Sequence, residues 1–276
     1  MIVNLYLVLQ FKYMDTLQEF LHTNGIKLNT DLGQHFLSDD KVLSEILEAA
    51  NVSNNDTVVE IGPGVGVLTK ELLALAKNVT AIELDERFIR LLKIYTGNNP
   101  NLNVIQGNAL NVDLPKEPYK IVANIPYHIT SPLLHHAFLE SEVYPKSMTL
   151  LIQREVAEKI CNKKNAGILT ILVNLFGTPR IVTHVAPKSF IPPPKVKSSV
   201  LHIDCFDKPL VDNETIENIF RLTKIAFSQK RKKISNGLGK QPNATEYLAK
   251  AGIDLDRRPD TISTEEWIEL GKIWKN

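Results

Sequence analysis

The sequence predicts an α/β fold in which a parallel sheet carries helices on both faces, followed by a smaller all-helical domain. Three observations predict it. Between Val58 and His202, short β-branched runs alternate with segments of helical periodicity, the pattern of strand–helix crossovers. After Asp207-Lys208-Pro209 only helical periodicity continues. The 276 residues, 43% apolar and 23% charged, are enough for a large domain and a small one to bury a core without metals or disulfides.

The elements follow in order. Residues 1–11 are apolar, but the run is about half of the roughly 20 residues a bilayer crossing needs, and no basic lead or small-residue cleavage site accompanies it. Met14 is a second possible start, and Asp15-Thr16 opens a capped amphipathic helix, so residues 1–13 are expected to be dispensable. Strands are expected at Val58 to Ile61, Val79 to Ile82, Val104-Ile105, Ile121 to Ala123, Met148 to Ile152, Arg180 to Val185 and Ser199 to Asp204. Between them fall helices at Ser38 to Ala50 with Ser38 as N-cap, Val65 to Ala76, Glu86 to Tyr95, Ser131 to Leu139 and Arg154 to Ile160. Pro187, Pro192, Pro193 and Pro194 force an extended loop before the last strand. Helices at Thr215 to Ser228, Ala244 to Ala251 and Thr264 to Trp274 close the chain. The expected division is a lead-in over 1–30, the sheet domain over 31–206 and the helical domain over 207–276.

Two features of the sheet domain carry chemistry. In Glu60-Ile61-Gly62-Pro63-Gly64-Val65-Gly66 a strand turns into a helix through glycines that let backbone approach a ligand. Alone, this turn reads equally as a tight crossover. Glu83 ends the next strand, where a carboxylate can take two hydrogen bonds from a ribose diol, and the pair points to a nucleoside-containing cofactor. Hydride chemistry stays open on these two features. Pro63 inside the turn and Glu60 before it disfavour a pyrophosphate and tolerate a cation, which suits the sulfonium and ammonium of S-adenosylmethionine better than a dinucleotide. Asn108, after the next strand, is placed to meet the adenine amine.

Asn124-Ile125-Pro126-Tyr127 follows a strand, at the sheet edge where α/β folds keep ligands. An adenine amine is a poor nucleophile because its lone pair is delocalised into the ring. Accepting both of its N–H groups, on the Asn124 side-chain oxygen and the Ile125 carbonyl, localises that pair toward an electrophilic methyl. Tyr127 offers a flat face to a base removed from its stack. No catalytic histidine is needed, because orientation dominates displacement at an already activated methyl. His135 and His136 point about 100° apart on a helix, and His128 and His184 lack a ligand-spaced partner, so no metal site is expected. Cys161 and Cys205 have no CxxC or His partner spacing and read as reduced core thiols of a cytosolic protein.

From about Leu32 to Trp274 the chain resembles the KsgA/RsmA family of ribosomal RNA adenine dimethyltransferases. Gly33-Gln34-His35-Phe36-Leu37 is similar to the family's amino-terminal cofactor motif, Glu60 to Gly66 to its glycine loop, Glu83-Leu84-Asp85 to its ribose-binding strand end and Asn124 to Tyr127 to its target motif. Phe190 to Val196 resembles its FxPPPKV loop, and Ala226 to Lys233 its AFxQRRK segment. The resemblance implies a Rossmann-like S-adenosylmethionine-dependent methyltransferase with a small C-terminal all-helical domain. It further implies dimethylation of two adjacent adenosines near the 3′ end of small-subunit rRNA. His35, Leu37, Gly62, Gly64, Glu83, Asn108 and Asn124 would bind the cofactor, and Tyr127 and Phe190 would sandwich the base. Asn108 departs from the Asp of many members and removes a charge from the adenine site.

The whole chain is nearly neutral, 32 basic against 31 acidic residues, yet Arg221 to Lys240 holds seven basic residues and no acidic one. That asymmetry reads as a phosphate-binding footprint centred on Lys230, Arg231, Lys232 and Lys233, with Lys195 extending it. The expected partner is small-subunit rRNA in an immature 30S particle, bound by a cytoplasmic monomer without a membrane. Two alternatives are a large-subunit rRNA methyltransferase of the macrolide-resistance type and a mainly non-catalytic assembly factor.

Overall fold

The structure, a computed structural model, describes residues 17–30 and 33–275. The expectations for residues 1–13 and for a cap at Asp15-Thr16 lie outside the described residues. In chain order the elements are α1 (17–23), β1 (Phe36–Leu37), α2 (Asp40–Ala50), β2 (Thr57–Ile61), α3 (Val67–Leu75), β3 (Asn78–Glu83), α4 (Glu86–Tyr95), β4 (Leu102–Gln106), β5 (Tyr119–Asn124), α5 (Thr130–His135) and β6 (Ser147–Gln153). They continue with α6 (Arg154–Cys161), α7 (Ile168–Phe176), β7 (Gly177–Val185), β8 (Phe190–Ile191), β9 (Ser198–Cys205), α8 (Asn213–Phe227), α9 (Ile234–Leu238), α10 (Ala244–Lys250) and α11 (Thr264–Ile273).

Seven strands form one sheet in the order β4-β3-β2-β5-β6-β9-β7, while β1 and β8 pair separately. From β4 to β6 every neighbour runs parallel, as Val59 opposite Thr80 and Asn124 opposite Leu151 illustrate. Val58, Val59, Ile121, Val122 and Leu150 are buried, which is why these strands read as continuous apolar runs rather than alternating ones. The chain leaves β2 in one direction for β3 and β4, then returns to the other side for β5 and β6. That reversal opens a crevice at the carboxyl ends of β2, β3 and β5.

Two compact units divide the chain: one runs to Glu155 and resumes over Arg180–Ile203, and the other comprises Val156–Pro179 and the residues from Asp204 onward. The expected cut after Phe206 is close to the last of these breaks, but α6 and α7 group with the helical part instead of the sheet. Packing explains the transfer: α7 contacts α8 and α11, and the Phe206 and Leu210 amides donate to the carbonyls of Phe176 and Leu175. The separate lead-in over 1–30 is also corrected, since Leu17 and Leu21 of α1 belong to the sheet unit's core with Leu43, Leu72 and Phe88.

Three local readings change as well. Asp39, not Ser38, caps α2, accepting from Lys41 N at 3.1 Å, because both the amide and the hydroxyl of Ser38 donate to the Ser189 carbonyl. The helix α7 was not expected: Ile171, Leu172, Val173, Leu175 and Phe176 are all buried, and so short and largely apolar a run reads equally as a buried strand. After α5 the helix widens into a π turn over His136–Glu140. Widening lets Glu140 bond both His135 (3.1 Å) and His136 (2.9 Å), although a regular helix would splay them.

In the second unit, Asp212 caps α8 by accepting from Thr215 N at 2.8 Å, and Ser263 with Glu266 forms a capping box on α11. Trp267 anchors α11 with no exposed surface.

Candidate active site

The glycine loop takes its shape from three left-handed residues, Gly62, Gly64 and Gly66, with φ of 67°, 57° and 102°. At Gly62 a Cβ would stand 3.8 Å from Pro126 and 3.9 Å from the Asn124 carbonyl, so glycine leaves that space open. Gly64 is glycine for a different reason: a Cβ there would come within 2.3 Å of the Phe36 ring. The loop is therefore shaped by the β1 segment as well as by any ligand.

Behind the loop sits Glu60, fully buried, with Oε2 lacking a partner among the described residues. Burial pushes its carboxyl up to about 8; the Thr69 hydroxyl pulls it down and nearby Glu83 pushes it up again. Glu83, at the end of β3, accepts from Gly64 N at 3.0 Å and from Asp85 N at 2.8 Å. Burial raises its carboxyl also, while those two amides oppose the rise. A carboxylate has about four lone-pair sites, so these amides leave Glu83 with acceptor capacity toward the cavity it lines.

Asn124 ends β5, and its Nδ2 donates to the His35 carbonyl at 3.0 Å. A carbonyl only accepts, so the amide is fixed with Nδ2 toward His35 and Oδ1 on the other side. No described residue donates to that Oδ1. Pro126 follows, then Tyr127, half-buried, whose hydroxyl lies 2.6 Å from Ser198 Oγ; burial raises the phenol above its ordinary value.

The glycine loop, the end of β3 and the Asn124–Pro126 turn border a cavity of about 460 Å³, which neither Glu60 nor Tyr127 lines. His35, Gly62, Gly64, Glu83, Asn108 and Asn124 line it together. Asn108 spends one oxygen lone pair on Leu110 N at 3.0 Å and keeps the other. Leu37 and Phe190 do not line the cavity: they are 4% and 2% exposed and lie together in the sheet unit's core. The expected base sandwich is corrected accordingly, because a face packed in the core has no room for a purine. Ile125 buries its side chain, which leaves its carbonyl as the group of interest.

Leu84 was missed as a site residue. It lines the cavity and is 66% exposed; the sequence shows only a leucine between two acidic residues at the strand end, and its exposure is visible only in the fold. Gln34 was missed too. It accepts from Asn29 N at 2.7 Å and donates to Asp85 at 2.9 Å, tying the β1 segment to the end of β3. Among the described residues no group of three His, Cys, Asp or Glu side chains is placed to hold a metal, and no helix is long and apolar enough to cross a membrane.

Lys195 is exposed in the sheet unit. In the helical unit Lys230, Arg231, Lys232 and Lys233 are all exposed between α8 and α9, and Lys233 pairs with Asp256 at 2.8 Å.

Residues 25–276 match the family described as Ribosomal RNA adenine dimethylase. The chain is 40% identical over 265 residues to the Ribosomal RNA small subunit methyltransferase A of Clostridium botulinum (strain Langeland), covering 92% of this chain and 96% of the relative. The protein of that name from Alkaliphilus oremlandii is 37% identical over 267 residues, covering 91% and 93%. Among solved structures, a dimethyladenosine transferase from Plasmodium falciparum superposes with a TM-score of 0.73 at 30% identity, over 86% of this chain and 96% of that one. The 23S rRNA methyltransferase ErmE gives 0.71 at 28% identity, over 86% and 98%.

Proposed function

The chain belongs to the ribosomal RNA adenine dimethylase family, and from that premise we propose that it dimethylates the N6 amines of two adjacent adenosines near the 3′ end of small-subunit (16S) rRNA, using S-adenosyl-L-methionine. The observation that carries the proposal is the fixed amide of Asn124, which presents an unoccupied oxygen acceptor at the mouth of a nucleoside-sized cavity.

The residues present fit this cofactor. Glu83 keeps acceptor capacity for a ribose diol, Asn108 keeps one lone pair for an adenine amine, and Leu84 offers an apolar surface to the same cavity. Glu83 is the acidic group of the cavity wall, and the orphaned oxygen of the buried, protonated Glu60 adds a polar acceptor behind the loop rather than a charge. When bound, S-adenosylmethionine supplies a methyl group on a positively charged sulfur, already activated for in-line displacement. Asn124 Oδ1 and the Ile125 carbonyl accept the two N–H groups of the target amine and direct its lone pair toward that methyl. Tyr127 supplies the stacking face for the everted base. The surplus proton leaves to water, so the chain needs no general base.

The small-subunit assignment draws on relatives at 37–40% identity that carry that name, whereas the large-subunit enzyme ErmE is a more distant likeness. In this reading Lys195 and the exposed basic run Lys230 to Lys233 hold RNA phosphates of an immature 30S particle. The protein acts in the cytoplasm as a monomer. The test is Asn124→Ala, incubated with undermethylated 30S subunits and labelled cofactor and read by mass spectrometry of rRNA fragments. Methyl incorporation is expected to vanish while 30S binding persists. Unchanged methylation rejects the mechanism, and an unsubstituted protein that methylates large-subunit rRNA supplied in a parallel reaction but leaves 30S subunits unmodified rejects the substrate.

A further inference from the structure

Phe190 offers no face to the cavity, yet the segment it belongs to is bonded to the 35–39 stretch, of which His35 and Phe36 do line it. Ser38 donates its amide and its hydroxyl to the Ser189 carbonyl, at 2.9 and 3.2 Å, and Ser189 Oγ donates to Asp39 at 2.7 Å. Leu37 then pairs with Phe190 and Phe36 with Ile191. At the far end the His35 ring, through Nδ1, donates to the Pro192 carbonyl at 2.7 Å. His35 is thus pinned by its side chain to one strand while its own carbonyl receives Asn124 Nδ2.

That last bond decides which end of the Asn124 amide faces the substrate. Reversing the amide would set two oxygens against each other and turn N–H groups toward an amine that itself needs acceptors. We infer that the 189–192 segment is a strap that holds the His35 carbonyl against Asn124, with His35 as the positioning residue through which it acts. The inference rests on the reading of Asn124 as acceptor for the target amine. It gives the proline-rich motif a task at the reacting atoms without placing Phe190 against the base.

Ser189→Ala loosens the strap and His35→Phe keeps a ring while removing its donor. Single-turnover methylation of undermethylated 30S at saturating cofactor is expected to slow about fivefold in each, the weight of one net hydrogen bond, with cofactor affinity by calorimetry changed less than about twofold for Ser189→Ala. Ser189→Thr, which keeps the hydroxyl, is expected to restore the rate. In protein labelled with ¹⁵N-asparagine, the Asn124 side-chain amide signal, assigned by its loss in Asn124→Asp, is expected to move toward that of a free amide in both weakened variants. An unmoved amide signal and an unchanged rate, with Asn124→Ala inactive, overturn the strap and leave the methyl-transfer reading standing. An active Asn124→Ala overturns that reading itself. Should Ser189→Ala fail to fold, the amide signal of His35→Phe decides alone.

Discussion

Replacing Gly64 with alanine tests whether the cofactor loop is shaped by a ligand or by the protein's own aromatic core. With φ at 57°, any L side chain at this position costs about 1–2 kcal/mol in the left-handed region. The added Cβ would also lie 2.3 Å from Phe36 Cε1, and Phe36 is held edge-on against Phe88 with centroids 5.5 Å apart. Relieving that overlap moves a packed ring, for which overpacking costs of about 1–3 kcal/mol are typical. The sum is about 2–5 kcal/mol. Gly97 is the control, because its φ of 68° carries the same backbone cost while nothing lies within 4 Å of its Cβ. Urea unfolding of the ligand-free protein is the assay: Gly64→Ala is expected to lower the midpoint beyond Gly97→Ala by the equivalent of at least about 1 kcal/mol, with the slope unchanged. Equal losses in the two variants would falsify the claim that Phe36 dictates glycine at this position.

Other consequences are open to measurement. Because burial lifts the Glu60 carboxyl from 4.5 to about 8, the folded protein holds a proton there that the unfolded chain has lost. Stability therefore falls as pH rises between those values, by up to on the order of 5 kcal/mol, and Glu60→Gln is expected to flatten that part of the profile. Parallel denaturation profiles for the two proteins over that range would show that Glu60 does not titrate this way. Neutralising Lys230, Arg231 and Lys232 together should weaken rRNA binding and reduce its salt dependence by about one unit of slope per lost phosphate contact. An unaltered slope in a filter-binding titration moves the RNA surface elsewhere. Tyr127→Phe keeps the aromatic face but strands buried Ser198 Oγ, so stability should drop by about 1–3 kcal/mol with methylation retained, whereas Tyr127→Ala should lose methylation. A fully active Tyr127→Ala removes stacking on Tyr127 from the mechanism.

Much of the sheet unit was legible because its signals are local. The buried parallel strands announce themselves as β-branched runs, the turn after β2 by its glycines, and Glu83 and Asn124 by standing where such strands end. Misreadings arose where a residue serves a partner distant in sequence. Ser38 looked like a cap because serine before a helix usually is one, but Ser189, 151 positions away, takes its hydroxyl. The helix α7, a short run apolar but for Thr170 and Asn174, reads equally as a buried strand, and so its membership of the helical unit was not visible.

The sequence alone determined the order of elements, the acidic glycine turn and the acceptor motif at the end of β5, since each depends on residue type and spacing within a few positions. Only the tertiary structure decided that Phe36 forces Gly64, that Phe190 turns inward, and that the Asn124 amide is held by the His35 carbonyl. The physical reason is that steric exclusion and hydrogen-bond direction act between atoms brought together by long-range pairing, and a single chain read in order contains no statement of that pairing until it is folded.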